Sequence, residues 1–544
     1  MVNITRRAAL GLAAGAAGSL ALPRFAIGQS DNRASVTIAV QKISNTNTLD
    51  CIREQSNVGE RSLYPNLWEG LIGRNWLGDQ GPVPLLATEW KRVDDRTVEL
   101  KLRDGVKFHN GDPLTVEDVA FTFGQERMFA DSQPTEGKTI YVAGLETRGR
   151  EAKELPVEIP ANARRQWPAL LGVEIVDRNT VRFVNGTPDV TIEGRLFQAG
   201  AQIMNRRAWE EAKSYDDWAR RPITTGPYMV SDYKPDQSLL LVSYDEYWGG
   251  LPPLKQIRFV EVPEVASRIN GLLSGEYDFA CDIPPDQIVG VESNSDFEVL
   301  GGTILNHRIT VFDKHHPQLE NPLVRRAMTH AIDRQAIVDS LWAGRTAIPN
   351  GLQWPFYGDM FFDDWKVPEY NPELARQLLQ EAGYKGDPIP YRVLNNYYTN
   401  QTATAQIQVE MWKQVGLNVE IEMKENWSQV LEHTPNRAVR DWSNSATFSD
   451  PVSSIVAQHG PNGQQQQVRE WTNEEVNRMS VVLETSTDRA KRREAFRRML
   501  EICEREDPAY TVLHQNAVFT AKPKALKWKA ASAFAMDFRP GNWS

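Results

Sequence analysis

The chain has 544 residues, too many for one compact core, so two or three structural units are expected. Its 41% apolar and 24% charged residues are those of an ordinary globular protein and exclude a disordered one. A net charge of −10 and an isoelectric point near 5.5 argue against nucleic acid as a partner, since phosphate binding needs a basic surface.

Residues 1–28 read as an export signal of the twin-arginine type. Arg6 and Arg7 precede an uncharged stretch from Ala8 to Leu22, and Ala26-Ile27-Gly28 has the small-residue spacing of a cleavage site before Gln29. No Cys follows the apolar stretch, so no lipid anchor is expected and the mature chain is placed in the periplasm. No later segment reaches the 18 to 20 apolar residues of a membrane span. Three cysteines, Cys51, Cys281 and Cys503, permit at most one disulfide within the chain, and no CxxC is present.

Val36 to Val40 predicts a short strand running into the polar stretch Gln41 to Asn47. Leu100 to Phe108 alternates weakly and closes at the turn Asn110-Gly111-Asp112-Pro113. Thr115 and Asp118 form a capping box ahead of a helix. The stretch 131–168 is polar, with scattered Pro and Gly, and reads as loops or an insertion. Val173 to Val184 predicts a hairpin turning at Asp177 to Asn179.

Asn321-Pro322 supplies an N-cap and a first-turn proline. Leu323, Ala327, Ala331, Ile337 and Leu341 then predict one helix ending near Gly344. Asn371-Pro372 repeats the device, with Gly383 at the C-terminal end. A βαβ unit follows. Tyr391 to Leu394 is a strand, Thr402 to Val415 a helix with Ile407, Met411 and Val415 on one face, and Leu417 to Met423 a second, parallel strand. Ligands of open α/β sheets bind beyond the carboxyl ends of strands. Asn395, Asn396, Tyr397 and Tyr398 lie beyond the first strand, and Asn426 and Trp427 beyond the second. Amides mixed with aromatics suit a pocket for a polar organic ligand, and sixteen tryptophans leave rings to spare for one.

Several blocks resemble one family. They are Pro84-Leu85-Leu86-Ala87-Thr88-Glu89-Trp90, Leu100 to Gly111, Leu114 to Val119, Thr225-Gly226-Pro227-Tyr228, Asn321 to Met328, Ala331-Ile332-Asp333-Arg334, Tyr370-Asn371-Pro372-Glu373 and Gly416-Leu417-Asn418-Val419. Over essentially the whole mature chain the sequence resembles the peptide/nickel class of ABC-transporter periplasmic solute-binding proteins. The resemblance implies an α/β, two-lobed, hinged periplasmic-binding-protein fold with an extra domain inserted in the first lobe. Lobe I would be 29–80, 205–305 and 516–544, the inserted domain 81–204 and lobe II 306–515. The crossings would fall near Thr303 to Val311 and near His514.

The ligand contacts that the resemblance implies are Asn45 and Thr46 at the end of the first strand, Trp427, Arg440, Trp442, and His514 with Gln515 at the second crossing; the strand-end position adds Asn396 and Tyr397 as expected contacts. Thr447 stands in the slot where oligopeptide binders carry an aspartate for the peptide amine. A buried ammonium needs a carboxylate. Either Asp441 or Asp450 substitutes, or the ligand has no free amine there. The expected function is therefore capture of a small peptide, or a peptide-like, opine-like or sugar-like solute, for an inner-membrane ABC permease, by a monomer without cofactor. The rival readings are an exported hydrolase and a chaperone or sensor receptor using the same clamp. The chain contains no GxSxG, HExxH or P-loop. His109 reads as a turn residue, and His315-His316 as a solvated loop rather than a metal site.

Overall fold

The computed structural model describes residues 31–129, 141–143, 154–395 and 397–543. The expected export signal, Asn396 and much of the 131–168 stretch lie outside the described residues. Seventeen strands are described. β1 (Ala34–Val40) is followed by a two-stranded ribbon, β2 (Ile72–Arg74) and β3 (Pro82–Pro84). β4 (Ala87–Arg92), β5 (Thr97–Leu102), β6 (Tyr141–Ala143), β7 (Leu170–Asp177) and β8 (Thr180–Asn185) make a separate five-stranded sheet in the order 4-5-8-7-6. β9 (Tyr228–Lys234), β10 (Ser238–Ser243), β11 (Leu254–Glu261) and β12 (Phe279–Cys281) then join β1. The long β13 (Phe297–Phe312) leads to β14 (Ile389–Leu394), β15 (Val419–Lys424), β16 (Val439–Ser445) and the equally long β17 (Tyr510–Pro523).

These last nine strands and β1 share one mixed sheet, in the order 15-14-16-13-17-12-1-11-10-9. Only β13 and β17 run through both halves. Their antiparallel pairing holds from Phe297↔Pro523 to Thr303↔Ala517, then shifts and resumes at His307↔Gln515. At that shift residues 304–306 of β13 lie opposite residue 516 of β17, a bulge that bends the ladder where the halves meet. Gly301 sits just before it at φ +131°, and a Cβ there would lie 2.0 Å from the Val518 carbonyl oxygen. The fold is a two-lobed periplasmic-binding-protein architecture, each lobe an α/β layer on its half-sheet.

Much of the local reading holds. The Thr115–Asp118 capping box is present, and Asn179 N donates to Asp177 Oδ1 at the β7–β8 turn (2.8 Å). β14 and β15 are parallel, linked by the helix Gln401–Gln414. Leu100 to Phe108 is a strand only to Leu102, because a turn at Asp104-Gly105 intervenes, with Gly105 at φ +77°. The helix expected from Leu323 to Leu341 is two, Pro322–His330 and Arg334–Trp342. The first ends at Ala331, and Asp333 caps the second by accepting from Ala336 N (3.0 Å). Within 154–168, Glu158–Gln166 is helical; its start carries no side-chain cap, so the usual sequence signal is missing. The helix Gln401–Gln414 buries Gln401, Gln408 and Trp412, while Ile407 and Met411 are only half-buried. All three cysteines are buried thiols.

His109 is not confined to its own turn. Its Nε2 donates to the Gly226 carbonyl (2.9 Å), tying the turn after β5 to the segment before β9, and burial lowers its pKa to about 4. His316 is likewise buried rather than solvated, its Nδ1 accepting from Gln318 N (3.3 Å).

Candidate ligand-binding site

A cavity of about 450 Å³ opens beyond the carboxyl end of β1 on one wall and beyond β14, β15 and β16 on the other. Asn45, Thr46, Tyr397, Trp427, Trp442 and Thr447 all line it. On the first wall, the loop after β1 is built around Glu54, which is fully buried. Its Oε2 accepts from Ser44 Oγ (2.6 Å), Thr46 N (3.0 Å) and Thr46 Oγ1 (2.8 Å), and its Oε1 accepts from Ser56 Oγ. Burying a carboxylate is costly unless such donors replace water, and here they fix the loop that presents Asn45.

On the second wall a buried chain of polar groups orients the rings. Arg308 pairs with Asp441, and Asp441 Oδ2 accepts from Gln401 Nε2 (2.7 Å). Gln401 Oε1 in turn accepts from Tyr397 N (2.6 Å) and Tyr398 N (3.2 Å). Burial raises the Asp441 carboxyl to about 6, against the opposing pull of Arg308. Tyr397 meets Trp427 edge-on at 4.9 Å, and Trp427 meets Trp442 edge-on at 4.6 Å. Arg308 lies 3.9 Å from the centroid of Tyr398 and Arg440 lies 4.5 Å from that of Trp442. These rings are half-buried, which leaves indole surface facing the cavity.

The walls touch. Asn45 Nδ2 donates to the Tyr397 hydroxyl (3.1 Å), and Thr447 Oγ1 donates to Gln198 Oε1 (3.1 Å). Arg74, between the rings of Trp76 and Phe197, donates to the Thr447 carbonyl. A second, more apolar cavity of about 220 Å³ shares Tyr397 and Tyr398 and is lined also by Trp342, Val518 and Phe534.

The remaining candidates stand back from the cavity. Arg440 is buried behind Trp442 and held by Glu470 through Nε (2.6 Å) and Nη2 (2.8 Å). His514 packs against Trp342 with ring centroids 4.9 Å apart, and Gln515 Nε2 donates to the Ile304 carbonyl (2.9 Å), joining the two crossing strands. Neither acid considered as a stand-in at the Thr447 slot is available. Asp441 is paired with Arg308, and Asp450 accepts from Arg492 Nη2 (2.7 Å) and Val452 N (3.1 Å). The sequence reading missed Glu54, Arg165, Gln166, Asn444 and Gln458, which also line the cavity. Arg165 and Gln166 were hidden by the uncapped helix Glu158–Gln166. Among the described residues no group of three His, Cys, Asp or Glu side chains could hold a metal ion.

A cleft between two lobes joined by two strands, lined by rings and amides, defines a hinged solute-binding protein. Residues 81–465 match the model of the bacterial extracellular solute-binding proteins, family 5, middle region. The chain belongs to that family, the peptide/nickel class of ABC-transporter periplasmic solute-binding proteins. It is 25% identical over 480 residues to heme-binding protein A of Haemophilus influenzae, covering 84% of this chain and 82% of that one. With the dipeptide-binding protein of Escherichia coli K12 it shares 24% identity over 484 residues, 86% of each. Its fold superposes on the dipeptide-binding protein of Pseudoalteromonas sp. SM9913 in complex with Met-Leu with a TM-score of 0.79 at 19% identity, covering 92% of this chain and 98% of that one. The family supplies the substrate-binding components of ABC importers and is one of binding proteins rather than enzymes. No described helix is long and apolar enough to cross a membrane.

Proposed function

We propose that this chain is exported to the periplasm by the signal at 1–28, captures a small polar organic solute in the 450 Å³ cavity as a monomer, and hands it to an inner-membrane ABC permease. The solute is a small peptide or a peptide-like, opine-like or sugar-like molecule. The observation that carries this reading is the cavity between two half-sheets that β13 and β17 both run through. The placement of the strands supports lobe I as 29–80, 205–305 and 516–544, an inserted domain at 81–204 and lobe II at 306–515.

Capture works through the hinge. A solute favours closure only through contacts it makes better in the closed form. Moving the population from mostly open to mostly closed takes about 5.5 kcal/mol of such differential binding. Stacking on Trp427 and Trp442, at about 0.5 to 1.5 kcal/mol each, falls short of that. Hydrogen bonds from Asn45, Asn444 and Gln458, each about 0.5 to 1.5 kcal/mol net, supply the rest.

A thermal-shift screen of peptides, opines and oligosaccharides, followed by solution scattering of the hits, tests the reading. A captured solute raises the melting temperature with concentration, contracts the particle and is recovered intact. A particle whose dimensions ignore every hit, or a hit recovered cleaved, refutes it.

A further inference from the structure

Four charged side chains line the 450 Å³ cavity among the described residues: Arg53, Glu54, Arg165 and Arg195. Their partners differ. Glu54 already accepts from the hydroxyls of Ser44, Thr46 and Ser56 and from Thr46 N, so its lone pairs are in use. Arg195 is held by Asp189 (3.1 Å) and Glu484 (2.9 Å). Arg53 has Glu158 at 3.7 Å, and its buried Nε has no partner. Arg165 donates from Nη2 to Gln55 Oε1 (2.9 Å) and forms no ion pair among the described residues. Burial alone lowers its pKa, with no carboxylate to offset it.

Residues of the same lining also bury polar atoms that have no hydrogen-bond partner among the described residues. Gln166 Oε1, Asn444 Oδ1 and Gln458 Nε2 lack partners, on side chains that are 7%, 7% and 4% exposed. Such groups are unfavourable to leave unpaired, and a polar ligand that shifts these side chains as it enters satisfies them.

Resting on the capture reading, we infer that the solute is an organic acid without a free amine, its carboxylate held by Arg165 with Arg53. A guanidinium lacking a carboxylate in a partly dehydrated wall is complementary to a ligand carboxylate, which it can grip through two parallel bonds. Among the described residues lining this cavity, a ligand ammonium finds no free carboxylate. Glu54 is saturated, and Asp441 and Asp450 are turned to Arg308 and Arg492. Two of the four Tyr and Trp rings already carry a guanidinium on one face. Trp442 covers Arg440 and Tyr398 covers Arg308, while Arg53, Arg165 and Arg195 repel positive charge. N-acylated peptides, imine- or lactam-linked acids and uronic acids fit this description; plain dipeptides and amino sugars do not.

The test uses the full mature chain and a charge-matched series by calorimetry and thermal shift. The series is N-acetyl-alanyl-tyrosine, alanyl-tyrosine, alanyl-tyrosine amide and N-acetyl-alanyl-tyrosine amide, with glucuronate and glucosamine as the sugar pair. The N-acetylated acid and glucuronate are expected to bind at least about tenfold more tightly than the other members of their sets. Arg165→Gln is expected to abolish the preference for the carboxylate while the unliganded melting temperature stays unchanged. Arg53→Gln serves as the second variant, with a smaller loss in the same direction. Tightest binding by an amine-bearing member, or a carboxylate preference that survives Arg165→Gln, overturns the inference and leaves capture standing. Absence of binding by every probe, whatever its charge, overturns both.

Discussion

The side-chain amide of Asn45 donates to the hydroxyl of Tyr397 at 3.1 Å, across 352 positions of sequence and from one wall of the cleft to the other. Tyr397 itself is fixed by its backbone N–H on Gln401 Oε1 and by its edge contact with Trp427. The bond therefore reports on closure rather than on local folding. Tyr397→Phe removes one acceptor worth about 0.5 to 1.5 kcal/mol. It is expected to weaken solute binding by roughly two- to tenfold and to leave the unliganded melting temperature unchanged. Calorimetry on both proteins checks this, and an unaltered affinity would mean that the bond does not contribute to the closed form.

Trp427 presents its ring to the cavity from a short helix capped by Asn426, which accepts from Gln429 N (3.0 Å). The cap, not the indole, starts the helix, so the ring can be removed cheaply. Trp427→Ala is expected to lower solute affinity at least about tenfold with little change in melting temperature. Trp442→Ala lowers affinity too, but also strips the cover from Arg440 and costs stability. Normal binding by both variants would place the site elsewhere.

How much of this was legible beforehand divides by mechanism. Side-chain caps and left-handed glycines are local chemistry, and Thr115, Asn321, Asn371 and Gly383 marked their helix ends correctly. The period of β14, its helix and β15 gave a parallel pair, and the aromatic residues beyond the strand ends line the cavity. Other features depend on contacts far away in sequence. Asp333 looks like another helical residue until its backbone turns out. Glu54 is an ordinary acid until Ser44, Thr46 and Ser56 surround it. Arg440 reads as a ligand contact until Glu470, thirty residues on, is seen to hold it. Polar residues whose partners come from another element cannot be assigned from spacing.

Just before the bulge, the crossing strands leave no room for a side chain at one glycine. Gly301 has φ +131°, and a Cβ there would lie 2.0 Å from the Val518 carbonyl oxygen on β17. Neither the backbone angle nor the space admits alanine without parting the two crossing strands. Gly301→Ala is expected to destabilise the chain by about 2 to 4 kcal/mol. Gly302→Ala, with φ +155° but nothing within 4 Å, should cost less. Urea unfolding of the pair is decisive: equal midpoints would deny Gly301 its part in the crossing.

His459 gives the protein a predictable sensitivity to acid. Its ring is fully buried and stacks on Tyr510, with centroids 4.7 Å apart and planes 17° from parallel. Burial, aided by the nearby charge of Arg440, pushes its pKa down to about 3. In the unfolded chain it titrates near 6.5. The folded state holds the ring neutral while the unfolded state takes up a proton, so the stability this residue contributes is complete above pH 6.5 and is lost as pH falls toward 3. His459→Phe keeps the stacked ring and removes the proton site. Other buried groups titrate in the same range, His109, His307 and His514 with the same sign and Asp441 with the opposite one, so only the difference between parent and variant isolates His459. Between pH 7.5 and pH 5 the parent is expected to lose about 2 kcal/mol more than the variant. Urea unfolding at the two pH values measures this, and parallel losses would show that the imidazole is protonated, or solvated, in the folded state.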